Sequence, residues 1–211
     1  EEKGLQSFED LREILQWSKE NLRKPKDEEI LHVPDLSTTI KPIWILQSLK
    51  QEPMIAVFWC DEGLDDSPTD EKWVATHQNR VERYLNQQVS HIGLHINATT
   101  IRLCYASPGE IPATLDFPVD VMCLSEGHIL IDALHMLLSR NRIYNEDKKG
   151  NLETIIIKSR INQVKVTESL VEQVEDALRL LISGFDRAND LSKGELLQGI
   201  ERTELYDAWT S

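Results

Sequence analysis

Two pairs of histidines are the first residues whose types and spacing suggest chemistry. His91 and His95 stand four apart, the interval at which two imidazoles on one helical face share a zinc ion. Their neighbours argue against a helix. Ile92, Leu94 and Ile96 alternate with Gly93 and His95, the period of a strand. On a strand the two histidine Cα atoms lie ~13 Å apart, too far to hold one ion. We therefore expect polar-face or partly buried histidines. His128 and His135 fall in a helical stretch, two turns and ~10 Å apart along its axis, and fail on the same ground. The chain contains no Cys-x-x-Cys and no His-Glu-x-x-His.

Carboxylates come next. Pro34-Asp35 followed by Asp70-Glu71-Lys72 spells the Pro-Asp…Asp-x-Lys order of metal-dependent nucleases. That chemistry needs acidic groups converging on one ion beside a lysine. Asp70-Glu71-Lys72 instead opens a helix, where capping and the helix dipole favour Asp and Glu. Asp61, Glu62, Asp65 and Asp66 could face a hard cation. The regular alternation and terminal bidentate Glu of a calcium loop are missing, so a solvated acidic loop is expected. There is no glycine-rich phosphate loop and no nucleophile elbow.

The elements that must position these groups follow from patterning. Ile92, Leu94 and Ile96, then Asn97-Ala98-Thr99-Thr100, then Ile101, Leu103 and Tyr105 predict a β-hairpin over His91 to Tyr105. Met54 to Cys60 is a continuous apolar run, as in a strand buried on both faces. Ile40 to Leu49 is a further strand, and Ala113 to Pro118 an edge strand, where proline is tolerated. A first helix is expected from Ser7 to Leu22, capped by Ser7 with Asp10. A second runs from Asp70 to Gln88 with Trp73, His77, Val81, Tyr84, Leu85 and Gln88 on one face, capped at Thr69-Asp70. Ser125 is expected to cap a third, whose core face is Ile129, Leu130, Ala133, Leu134, Leu137 and Leu138. Arg23 to Glu29 and Asn145 to Asn151 are expected as charged loops. From Leu152 the apolar residues recur at threes and fours to about Asn189, predicting one long helix or two collinear ones. The expected fold is α/β (α+β), a small mixed sheet with flanking helices followed by a long helical segment. Its domains are expected at 1–145 and 146–211.

The chain has 211 residues, 40% of them hydrophobic, enough to build a core. Its net charge of −13 works against broad attraction to DNA or an anionic membrane by this stretch alone. Three widely spaced cysteines, Cys60, Cys104 and Cys123, fit reduced thiols and a cytoplasmic location better than a disulfide framework. No apolar run reaches the ~20 residues of a membrane span, and no secretory signal is visible. The first residue is Glu1, and Leu205 to Trp209 ends on an unfinished apolar pattern. A piece of a longer protein is expected.

Around the hairpin, Gly93-Leu94, Asn97, Arg102-Leu103, Tyr105-Ala106 and Pro108-Gly109-Glu110 resemble a block in the N-terminal region of large adenine-specific DNA methyltransferases. These are the type IIG-like restriction–modification enzymes and the methyltransferases of DISARM-type phage defence. The resemblance continues through Phe117-Pro118-Val119 and Ala133 to Leu138. It extends to Glu172-Gln173-Val174, Ala177-Leu178, Gly184-Phe185 and Glu195-Leu196-Leu197, and so covers about residues 70 to 209. Ala98 stands where the family often has glycine, which leaves the turn type open.

The resemblance implies a restriction-endonuclease-like N-terminal domain, active in some members and degenerate in others. The metal-binding Asp then falls near Ile43, and the Glu-x-Lys near Phe58 and Cys60. None of these side chains holds a divalent cation as a carboxylate does. The implied function is the non-catalytic N-terminal region of a DNA adenine methyltransferase, serving scaffolding, partner docking or DNA positioning. The fragment itself would need no cofactor. S-adenosylmethionine would belong to the parent protein, which would also meet DNA and other defence-system proteins. Two alternatives stay open: a stand-alone soluble interaction module, and an active metal-dependent nuclease domain.

Overall fold

A computed structural model describes residues 5, 7–34, 38–68, 75–144 and 150–195. The chain divides into two compact units, the first ending at Ile156 and the second starting at Ile157. The first is an α/β unit. Its helices are α1 (Phe8–Ile14), α2 (His77–Gln87), α3 (Val119–Met122), α4 (His128–Leu138) and α5 (Arg140–Ile143). Its strands are β1 (Leu22–Arg23), β2 (Leu31–Val33), β3 (Thr38–Ile40), β4 (Trp44–Gln47), β5 (Pro53–Trp59), β6 (Ile92–Ile96), β7 (Thr100–Tyr105) and β8 (Ala113–Pro118). Six strands form one mixed sheet in the order β1-β4-β5-β6-β7-β8, and β2 pairs with β3 separately. Within the large sheet β5 and β6 run parallel, joined through α2, while the other neighbours are antiparallel. No helix among the described residues is long and apolar enough to cross a membrane.

Each face of the sheet carries its own core, because strand side chains alternate between faces. One face sets Leu46, Val57, Leu94 and Leu103 against Leu11, Trp17, Leu134 and Ile143 of the α1, α4 and α5 region. The other sets Ile45, Ala56 and Phe58 against Val81, Tyr84 and Leu85 of α2, with Val33 and Ile40 of the small sheet. Gly93 lets α2 come down onto β6. A Cβ there would meet the Leu85 methyls at 3.1 and 3.2 Å.

The expected hairpin is present in the register Ile92↔Tyr105 to Ile96↔Ile101. Its turn closes without a left-handed residue at Ala98. The Asn97 carboxamide oxygen accepts from the Thr99 and Thr100 backbone N–H groups at 3.0 and 2.8 Å, the work of an Asx turn. Strand β5 is buried from Ile55 to Phe58, and β8 is the last strand of the sheet, both as expected.

Several expectations are corrected. The helix predicted over Ser7 to Leu22 stops at Ile14. Gln16 takes a left-handed φ of 59°, and the turn carries Trp17 into the core, where its indole N–H donates to the Leu138 carbonyl at 2.7 Å. The Asp10 carboxylate accepts from the backbone N–H and hydroxyl of Ser7, both at 3.1 Å, so the expected start holds. Arg23 to Glu29 is not a solvated loop: Arg23 lies in β1 and Glu29 is buried. The strand predicted over Ile40 to Leu49 is two strands, β3 and β4, separated at Lys41 to Ile43. Ser125 does not cap α4. Gly127 takes that position, where a Cβ would lie 2.0 Å from the Val121 carbonyl oxygen. Of the predicted core face of α4, Leu134 and Leu138 are buried and Ile129 is exposed.

In the described residues α2 begins at His77, and Thr76 caps it by accepting from the Asn79 N–H at 3.1 Å. Thr69, Asp70 and Trp73 lie outside the described residues, as do 145–149 of the predicted charged loop. The predicted long helix is a single one, α6, over Leu152–Leu191. The unit boundary falls inside it because Leu152 is buried in the α/β core and Ile156 packs against that core.

Candidate functional site

The α2 face of the sheet holds the densest set of buried polar groups among the described residues. Arg102 of β7 is the centre. Register places it directly opposite Asp116 of β8, which accepts from Nε and Nη2 at 2.7 and 2.8 Å. Asp65, from the 61–68 loop, accepts from Nη1 and Nη2 at 2.6 and 2.9 Å. Two bidentate carboxylates on one guanidinium are strong, charge-assisted contacts. They raise the Arg102 pKa further and hold the Asp65 carboxyl below its ordinary value.

Beside this pair Gln78 of α2 joins three strand residues. Its side-chain oxygen accepts from Arg102 at 3.3 Å, from His95 Nδ1 at 3.2 Å and from the Cys104 thiol at 3.7 Å. Because that oxygen can only accept, Nδ1 of His95 carries the proton. Its amide donates to Glu82 at 3.0 Å. His77, at the start of α2, contacts Glu62 at 3.0 Å, and its ring centroid is 6.5 Å from that of His95. Asn97 donates to the Glu62 carbonyl at 2.9 Å.

Burial first, then His77 and Arg102, push the His95 pKa down to about 4. The imidazole is therefore neutral in the fold and cationic in the unfolded chain below its usual pKa of ~6.5. The unfolded state binds more protons between those two values, so stability falls as pH drops from about 6.5 toward 4. It is fully present above that window. We expect a loss on the order of 2–3 kcal/mol from this group. Urea unfolding of the wild type and of His95→Gln at several pH values checks it. The variant should show a flatter slope through the window.

The site has no free nucleophile. Burial pushes the Cys104 thiol up to about 12 and the Cys60 thiol up to about 11, so neither supplies thiolate near neutrality. Every buried side-chain nitrogen and oxygen among the described residues has a hydrogen-bond partner. The arrangement clamps the 61–68 loop, α2, β7 and β8 together and leaves the His77–Glu62 contact partly exposed at its edge.

At the other end of α2 a cleft of about 420 Å³ opens between Arg23, Glu29, Tyr84, Gln88 and Ser90. Its charges are also internally matched. Arg23 binds both Glu29 oxygens at 2.6 Å and Gln47 at 3.0 Å. The Tyr84 hydroxyl donates to the Glu29 carbonyl at 2.8 Å.

The residues singled out from sequence are scattered. Ile43 donates its N–H to Val57 at 2.7 Å and packs on the α1/α4 side. Phe58 is buried on the opposite face, its ring T-shaped on Tyr84 at 5.1 Å. Cys60 follows β5, its N–H donating to Ile96 at 3.0 Å. These three side chains do not converge on one pocket. A lysine does reach the start of β4: Lys24 Nζ donates to the Ile43 carbonyl at 3.2 Å and lies 3.8 Å from the Trp44 ring centroid.

The acidic run is exposed, as expected, and each carboxylate also has a protein partner. Asp61 accepts from the Trp59 indole at 3.0 Å, Glu62 meets His77, Asp65 meets Arg102, and Asp66 accepts from the Gly63 N–H at 3.1 Å. No group of three or more His, Cys, Asp or Glu that could hold a metal occurs among the described residues. Asp35 and 70–72 lie outside them. His91 and His128 contact the backbone carbonyls of Leu85 and Ser125 at 3.0 and 3.1 Å.

Sequence reading missed the Arg102 centre. The available signal was its place opposite Asp116 once both strands were predicted in register. No family model, curated protein or solved structure matches the chain.

Proposed function

We propose that the chain is the non-catalytic N-terminal region of a larger DNA adenine methyltransferase of a restriction or phage-defence system. Its own role is scaffolding, partner docking or positioning of DNA for the methyltransferase core. The observation that carries the reading is topological. The family order helix, strand, strand, helix, strand has counterparts in α1, β4, β5, α2 and β6, with β6 parallel to β5, although β1, β2 and β3 stand between α1 and β4. The test uses the parent gene product. Titration with S-adenosylmethionine should show stoichiometric binding, and adenine in DNA should become methylated. A parent reading frame without the glycine-rich cofactor turn and the Asn-Pro-Pro-Tyr-type loop sinks the reading.

The same reading predicts that this 211-residue chain does not cut DNA. Cleavage of this type needs about two carboxylates around Mg²⁺ to bind phosphate and acidify the attacking water. The expected result is intact supercoiled plasmid after incubation with Mg²⁺ or Mn²⁺. Cutting that disappears in Asp61→Ala or Glu62→Ala would establish a working nuclease instead.

A second reading, a stand-alone interaction module, is favoured by one observation: α6 exposes Val164, Val171, Val174 and Leu181. Co-purification of the full gene product with S-adenosylmethionine or DNA counts against it.

A further inference from the structure

The second unit carries a seam that matches itself. Along α6, Val164, Thr167, Val171, Val174, Leu178 and Leu181 alternate at intervals of three and four, the a and d positions of a heptad. Val164, Val171 and Leu178 fall at a, and Thr167, Val174 and Leu181 at d. The five apolar members are 42% to 60% exposed, although each belongs to a stripe of the kind that helices bury. The stripe continues to Ile157 at one further a position, with Arg160 standing at the d position between. The opposite side is polar through Lys158, Asn162, Lys165, Glu172, Asp176 and Arg179, with Val166 and Leu180 as exceptions.

We infer that α6 pairs with α6 of a second copy of this chain as a parallel, in-register coiled coil along Val164 to Leu181. Two features select that occupant. Valine at two of the three a positions, with leucine at the last d position, Leu181, follows in part the pattern of parallel two-stranded coils. The flanking charges select direction. Glu168 and Glu175 sit at e, and the preceding g positions hold Gln163 and Leu170. In a parallel pair each glutamate lies beside one of these uncharged residues. An antiparallel pair centred on Val171 and Val174 would instead place Glu168 of one helix beside Glu175 of the other, twice, with like-charge repulsion at each. The ion pair of Arg179 with Glu175 at 2.6 Å lies within one helix and is compatible with the parallel seam. The inference stands independently of the methyltransferase reading.

Sedimentation equilibrium of the 211-residue chain tests it. We expect twice the chain mass at roughly 100 µM, with dissociation on dilution to about 1 µM, the range suited to a seam of this modest length. Val171→Asp with Leu178→Asp should give one chain mass at every concentration, with the thermal transition of the α/β unit unchanged. Direction is read separately. In a Cys123→Ser background, Val174→Cys should form a covalent dimer on mild oxidation, because equivalent d positions face each other. Lys165→Cys, on the outer side, should not. A wild-type chain monomeric at 100 µM overturns the pairing, whatever else covers the stripe. A dimer that survives the double aspartate variant also overturns it. A dimer in which Val174→Cys fails to cross-link overturns the parallel register.

Discussion

Replacing Asp65 and Asp116 together by asparagine lowers stability by about 3–5 kcal/mol, while Arg102→Met lowers it by only about 1–2 kcal/mol. The asymmetry follows from where each partner sits. The Arg102 side chain is 10% exposed, whereas Asp65 is 71% and Asp116 39% exposed. Replacing both carboxylates leaves the guanidinium with neutral acceptors alone, the two asparagine carbonyls and Gln78, and no compensating charge. Removing the arginine frees two carboxylates that water reaches, and exposed charges lose little when a partner leaves. Methionine also keeps most of the packing of the arginine stem. Urea denaturation at neutral pH measures both. Equal losses in the two variants would mean the carboxylates are not solvated as described.

Trp17→Ala is expected to cost about 3–5 kcal/mol, the usual range for truncating a buried aromatic. Trp17 is 1% exposed and its ring centroid lies 6.3 Å from that of Phe8. Its indole N–H is the donor to the Leu138 carbonyl at the end of α4, so truncation opens a cavity and removes a buried hydrogen bond at once. Trp17→Phe separates the two effects. It keeps most of the ring, loses the donor, and should cost about 1–2 kcal/mol. The same indole explains the early end of α1, since a helix continuing past Gln16 could not deliver it there. A Trp17→Phe variant as unstable as Trp17→Ala would assign the whole cost to the hydrogen bond.

The parts of this fold that sequence reading reached are those decided by local period. The β6–β7 hairpin, β8 and α6 each carry a repeat of two or about 3.6, and β5 is an unbroken apolar run of strand length. The parts it missed are those where a distant partner overrides a local rule. Leu11, Leu15 and Leu22 keep helical spacing, yet the burial of Trp17 bends the chain between the last two. Glu29 and Arg102 look solvent-facing because they are charged, yet each is buried against an opposite charge. For Arg102 one of those charges, Asp65, comes from a loop far away in sequence, which no short window contains. The candidate site was therefore less legible than the fold.

The single parallel joint of the large sheet has a kinetic consequence. Strands β6, β7 and β8 follow one another through short connections, and β4 and β5 do the same; β5 meets β6 only after the chain has passed through α2. Contacts between near neighbours in sequence lose little loop entropy on forming, whereas the β5–β6 joint must close a long loop first. The expected folding nucleus is the self-contained β6–β7 hairpin with its Asn97 turn. Leu103→Ala should then slow refolding with a φ-value well above that of Ile55→Val in β5, which should act mainly by speeding unfolding. Stopped-flow chevrons of the two variants compare them, and a higher φ-value for Ile55→Val would place the nucleus at the parallel joint instead.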